Sequence, residues 1–145
     1  MRVMLDTNVV LDVLLKREPF VQDSVAVWRA IDEGRLVGHV SATSITDIFY
    51  VARRLTDLET AHEAVRICLE AFEICPVDRQ VLDRANHLSG RDFEDNVQIA
   101  CAEALDLEAI VTRNTQDFAF ASMVVFTPTA LLDHLQSVAS DENKV

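Results

Sequence analysis

The sequence predicts a three-layer α/β domain around a central, mostly parallel sheet of four to five strands. Two observations predict it. Short apolar runs alternate with amphipathic stretches along the whole chain, the pattern of strands joined by crossover helices. Gly and Pro number only three each, too few for a disordered chain or a turn-dense sandwich. With 145 residues, half of them hydrophobic, the chain has the size and composition for one domain with a full core.

Val3-Met4-Leu5 reads as a buried first strand, and Asp6-Thr7-Asn8 stops it and opens a helix over Val9 to Leu15. Pro19 suits the first turn of a second helix that carries Val25, Val27, Trp28 and Ile31 to about Asp32, where Gly34 ends it. Leu36 to Val40 is the second strand. Ser41 to Thr46 is a hydroxyl-rich turn into a helix through Arg54, and Leu58 to Phe72 is a long amphipathic helix. Ile74-Cys75 is a short strand stopped by Pro76, and Asp78 caps a helix to about Leu88. Arg91 to Asp95 opens the next helix, whose Ala100, Ala102 and Ala104 allow close packing to Leu105. Ala109-Ile110-Val111 and Met123 to Phe126 are the last strands, and Pro128 starts the final helix. The domain is expected over 1–136, with a polar, flexible tail over 137–145.

Cys68, Cys75 and Cys101 have an odd count and no zinc spacing, so they read as core residues. His39, His62, His87 and His134 likewise have no Cys or His partner at ligand spacing. No signal-peptide h-region opens the chain and no apolar run approaches a membrane span, so a soluble, cytoplasmic protein without a membrane partner is expected. The formal charge is −11, which weighs against a nucleic-acid partner and favours a basic protein partner. The cations are 11 Arg and only Lys16 and Lys144. Arg53, Arg54, Arg91 and Arg113 lie near the acids that follow, and Arg suits bidentate phosphate contacts.

Those acids are Asp6, Asp47, Asp92, Asp95 and Asp117, each placed near the carboxyl end of a predicted strand. Open parallel sheets build their sites at that edge. Taken singly, each acid has an ordinary explanation. Asp6 can cap the first helix, Ser44 to Asp47 and Asp92 to Asp95 both fit a capping box, and Asp117 can close a turn after Asn114. Asp12 and Asp23 read as helix-surface or local hydrogen-bonding groups. Taken together, four separate segments bring carboxylates to one edge. Such a cluster repels itself unless a cation neutralises it, and oxygen ligands suit Mg²⁺ or Mn²⁺, one ion or two. A metal-assisted attack of water on a phosphodiester is the chemistry this donor set permits, with Thr112, Arg113 and Asn114 placed to hold a phosphate. Two other acidic α/β sites are excluded. Receiver domains need a Lys at a late strand end, which neither Lys16 nor Lys144 provides. Dehalogenase-type phosphatases need D-x-D after the first strand, where this chain has Asn8 in the third position.

Four blocks then resemble the PIN domain family: Met4-Leu5-Asp6-Thr7-Asn8-Val9-Val10-Leu11-Asp12, Ser41 to Arg54, Asp92-Phe93-Glu94-Asp95-Asn96-Val97-Gln98, and Ile110 to Phe118. The resemblance covers about 1–126 in the right order. It implies a metal-dependent endoribonuclease that hydrolyses RNA, of the kind that serves as a VapC-type toxin held by a protein antitoxin. By that likeness Asp6, Asp47 and Asp95 are the core acids, Asp92 is an extra one, and Asp117 is a nearby carboxylate. Asp6 and Asp95 are implied as direct ligands, Asp47 as ligand or water-orienting base, and Asp92 and Asp117 as outer ligands; Asp6, Asp47, Asp95 and Asp117 form the implied catalytic set. Thr112, Asn114 and Arg113 are implied as substrate-binding or supporting groups. The chain departs from the family pattern twice: Asp47 stands where Glu is usual, and Asn114 where many members have a fourth acid. These departures, with the −11 charge, leave open a PIN-like fold that does not cut and serves as a protein- or RNA-binding module. Long amphipathic helices on a small domain also suit a homodimer.

Overall fold

Among the described residues, five parallel strands form one sheet in the order β3-β2-β1-β4-β5. They are β1 (Arg2–Leu5), β2 (Val37–Ser41), β3 (Glu73–Cys75), β4 (Ala109–Val111) and β5 (Val124–Phe126). The computed structural model describes residues 1–144, so Val145, the last residue of the expected tail, lies outside the described residues. The helices are α1 (Thr7–Leu14), α2 (Val21–Asp32), α3 (Ala42–Leu55), α4 (Leu58–Ala71), α5 (Arg79–His87), α6 (Phe93–Ala104) and α7 (Pro128–Glu142). A 3₁₀ turn covers Thr115–Phe118.

The expected α/β architecture is present, with all five strands where the apolar runs placed them. Its layers follow from the two-residue period of a strand. Val3 and Leu5 of β1, with Ala109 and Val111 of β4, face one core with Val10, Val27, Ile48, Ala61 and Leu131. Met4 and Ile110, the alternate residues, face the other with Val81, Ile99, Cys101 and Phe118. Thus α1, α2, α3, α4 and α7 cover one face of the sheet, and α5 and α6 cover the other. All three cysteines are buried and free.

Several boundaries differ from the sequence expectation. Helix α2 begins at Val21 rather than Pro19, because Arg17 O receives the N–H groups of both Phe20 and Val21 and closes a turn first. Helix α3 is capped by Ser41, whose Oγ accepts from Ser44 N at 3.1 Å, and not by the expected Ser44–Asp47 box. Asp47 therefore sits inside the helix and is free to face outward. Helix α7 continues through Ser137 to Glu142, into the segment read as a polar tail. At Gly38 a Cβ would lie 2.6 Å from Ile31 Cδ1, so glycine lets β2 pass close under α2.

Candidate active site

The carboxyl ends of β1, β2 and β4 open onto a cleft of about 360 Å³. Asp6, Asp47, Asp92, Asp95 and Asp117 all line it, and Glu94 joins them. Each acid arrives on a different support. Asp6 is the first residue past β1, and its backbone N–H donates to Val111 O at 2.9 Å, locking it between two central strands. Its side chain makes no helix cap; the ordinary reading of Asp6 gives way to a buried carboxylate, 4% exposed. Oδ2 accepts from Thr112 Oγ1 at 2.8 Å and Oδ1 from Gln98 Nε2 at 3.1 Å. Burial pushes its pKa above the usual carboxylate range, and those two hydrogen bonds oppose the shift.

Asp47 reaches the cleft from the second turn of α3. Beneath it, Ser44 Oγ lies 2.9 Å from Ser41 Oγ and accepts from Thr7 Oγ1 at 2.8 Å, tying α3 to the start of α1. Asp92 does cap α6, accepting from Asp95 N at 3.0 Å; it is a cap and a cleft residue at once. That bond presents Asp95 in the first turn of α6, half-buried. Burial first, then the charges of Asp92, Asp6 and Asp117, push its pKa up to about 7. Glu94 is pushed up to about 8, first by a hydrogen bond with Asp47, then by burial and by the charges of Asp47, Asp92 and Asp95. Asp117 enters from the 3₁₀ turn, where its N–H donates to Asn114 O at 3.0 Å. Asn114 also lines the cleft.

Two expected substrate contacts lie elsewhere. Thr112 is fully buried; its Oγ1 donates to Asp6 and accepts from Asn114 N at 3.0 Å, so it orients the carboxylate and the following loop. Arg113 turns away from the cleft. Its Nε stands 2.7 Å from Asp12 Oδ2, its Nη2 donates to Asp12 Oδ1 at 3.2 Å, and its guanidinium lies 3.9 Å from the Phe20 ring centroid. Asp12 is thus not a helix-surface group: its side chain is completely buried, and Arg17 approaches its Oδ1 at 3.8 Å.

Seven cleft residues are not among the site candidates of the sequence, and Glu94, Gln98 and Tyr50 matter most of these. Helical spacing carries a signal for two of them. Gln98 lies three residues after Asp95, and Tyr50 three after Asp47, so each shares a helix face with an expected acid. Gln98 is buried, and its Oε1 has no hydrogen-bond partner among the described residues.

The donor set fits a hard divalent cation: carboxylate oxygens, one of them anchored by two neutral donors, and an orphaned buried amide oxygen. Among the described residues no three of these acids converge on a common point in the manner of a closed metal site. The cleft is an open one, and burial and neighbouring charge favour the protonated forms of Asp6, Glu94 and Asp95 within it.

The PIN domain family profile matches residues 2–116, and the chain belongs to that family. No curated protein matches the sequence. Among solved structures, FitAcB from Neisseria gonorrhoeae is similar at 22% identity, with a TM-score of 0.68 over 87% of this chain and 97% of that one. DNA-bound VapBC from Salmonella typhimurium is similar at 14% identity and TM-score 0.68, over 88% and 98%. VapC20 of Mycobacterium tuberculosis, a toxin that cleaves the sarcin–ricin loop, is similar at 12% identity and TM-score 0.66, over 84% and 98%. These likenesses establish the shared fold.

Proposed function

We propose that this chain is an Mg²⁺- or Mn²⁺-dependent endoribonuclease and the toxin of a toxin–antitoxin pair. The observation that carries the reading is that six carboxylates line one open cleft at the sheet's carboxyl edge, two of them raised to about 7 and 8. That arrangement costs stability unless a cation fills it, and charge of this kind concentrated in a cleft marks a working site. Family membership and the fold shared with VapBC and FitAB complexes support a nuclease and a protein antitoxin. The nuclease unit is taken as 1–136. None of the described helices is long and apolar enough to cross a membrane, and a cytoplasmic location suits the reading.

Asp6, Asp47 and Asp95 would hold one or two ions, with Asp92 and Asp117 outside them. A bound divalent cation supplies Lewis acidity toward a phosphodiester and offsets its charge. The protein's own contribution is orientation. Thr112 and Gln98 fix both oxygens of Asp6, and Asp92 fixes the turn that carries Asp95. Asp47, in the second turn of α3, lines the same cleft as Asp6 and Asp95, where it would hold the ion or orient an attacking water. Asn114, uncharged, can donate to a phosphate oxygen where a fourth acid would repel it.

Asp95→Asn tests the reading. It is expected to abolish Mn²⁺-dependent RNA cleavage while leaving the fold intact, because it removes a repelling charge and no hydrogen bond from the core. Undiminished cleavage would sink the assignment. The second reading, a binding module that does not cut, is favoured by Asp47 and Asn114, which depart from the family pattern, and by the −11 charge. Calorimetric titration with Mn²⁺ separates the two: the nuclease takes up the cation with release of protons, and the module does not.

A further inference from the structure

The cleft contains no Lys or Arg among its lining residues, and Arg113, the cation nearest in sequence to its late loop, is committed to buried Asp12. A polyanion entering it gains nothing from basic side chains inside. Binding energy for a strand must come from the rim. The aromatic residue on that rim is Tyr50, which lines the cleft yet leaves 64% of its surface open. That exposure leaves Tyr50 available to a ligand at the edge of the cleft. It lies one helical turn from Asp47 on the same face of α3, with side-chain bases about 5–6 Å apart at that spacing. Arg54, a further turn along, holds its guanidinium 5.8 Å from the Tyr50 ring centroid.

We propose that Tyr50, backed by Arg54, is the base-stacking position of a single-stranded RNA subsite at the edge of the acidic cleft; the proposal rests on the nuclease reading of that cleft. Stacking on an aromatic ring is available to every base and to a strand whose bases are unpaired. A nucleotide stacked on Tyr50 places its phosphate between the Arg54 guanidinium and the carboxylates, where one cation already stands outside the cleft. The subsite therefore reads single-strandedness rather than sequence. It also supplies affinity that depends little on salt, since one arginine neutralises about one phosphate.

The test uses the full chain and fluorescein-labelled 12-nucleotide single strands of RNA, in Ca²⁺ for binding and in Mn²⁺ for cleavage. A second strand of the same length is abasic at every position. Tyr50→Ala is expected to weaken binding about tenfold and to raise KM while leaving kcat near wild type. Tyr50→Phe keeps the ring and is expected to bind as wild type does. The fully abasic strand should bind wild type more weakly by a similar factor or more, and Tyr50→Ala should discriminate less between it and the intact strand. Arg54→Gln is expected to reduce the salt slope of binding by about 0.7. If wild type cleaves and Tyr50→Ala matches it in KM and binding, the stacking subsite is overturned and the nuclease reading stands. Binding without cleavage, lost in Tyr50→Ala, keeps the subsite and overturns the nuclease. A chain that neither binds nor cleaves overturns both. Unaltered RNA binding with a changed oligomeric state in Tyr50→Ala assigns the ring to a protein contact and overturns the subsite.

Discussion

At the scale of single residues, two groups read from sequence as phosphate contacts act behind the site. Thr112 donates to Asp6 Oδ2 from a fully buried position. Thr112→Val keeps the shape and removes the hydroxyl. Burial already raises the Asp6 pKa, and the lost bond would let it rise further. A metal ligand must be deprotonated, so Mn²⁺ affinity is expected to fall about 10–100-fold and its pH midpoint to move alkaline. Calorimetry across pH checks both; an unchanged midpoint would remove Thr112 from the site. Arg113 answers a different demand. The Asp12 carboxylate it meets is wholly buried, with Arg17 at 3.8 Å as a second and more distant cation, and breaking a buried pair costs about 3–5 kcal/mol. Arg113→Ala is expected to lower stability by about that much, and Asp12→Asn in the same chain to recover most of it. Thermal melts of the single and double variants decide between this and a phosphate role, in which Arg113→Ala would keep its stability and lose RNA affinity.

At the scale of elements, the helix termini aim the acids. Ser41 caps α3 and also contacts Ser44 and Thr43, and Ser44 accepts from Thr7 beside Asp6. Thr127 caps α7 by the same kind of bond, accepting from Ala130 N at 3.1 Å, but α7 carries none of the cleft acids. Each cap removed by Ala costs about 1 kcal/mol. Ser41→Ala is expected to weaken Mn²⁺ binding as well as stability, and Thr127→Ala to lower stability alone. Parallel chemical denaturation and Mn²⁺ titration check the contrast, and equal metal affinities in the two variants would refute it. The same elements show what the sequence disclosed. Every strand was legible because runs such as Val3-Met4-Leu5 and Ala109-Ile110-Val111 are apolar on both faces, as a covered parallel sheet requires. The five aspartates of the cleft were legible because strand ends are few. Side-chain direction was not. Arg113 and Asn114 are adjacent, yet one leaves the cleft for Asp12 and the other lines it, a choice made by a partner 101 residues away in the chain. Glu94 was missed for the same reason, since its neighbour Asp47 comes from another helix.

For the whole molecule, the cleft sets how stability depends on pH. Asp95 and Glu94 have folded-state values near 7 and 8, above the 3.8 and 4.5 of the unfolded chain. Between those limits the folded state holds more protons than the unfolded one, so stability falls as pH rises. Asp6 and Asp12, both raised by burial, add to the same slope. His39 opposes it: burial lowers its pKa below 6.5, so its contribution improves as pH rises toward that value. The acids outnumber it, and the metal-free protein is expected to melt at a lower temperature at pH 8 than at pH 5.5. Mn²⁺ binds the ionised acids, so its stabilisation should grow with pH and reverse the trend, while a chelator restores it. Asp95→Asn should flatten the metal-free slope and raise the melting temperature at pH 8. Melting curves at several pH values, with Mn²⁺ and with chelator, read all of this at once. A metal-free protein that grows steadily more stable from pH 5.5 to 8 would show that the clustered carboxylates do not hold their protons, and with that the case for a cation in the cleft would fail.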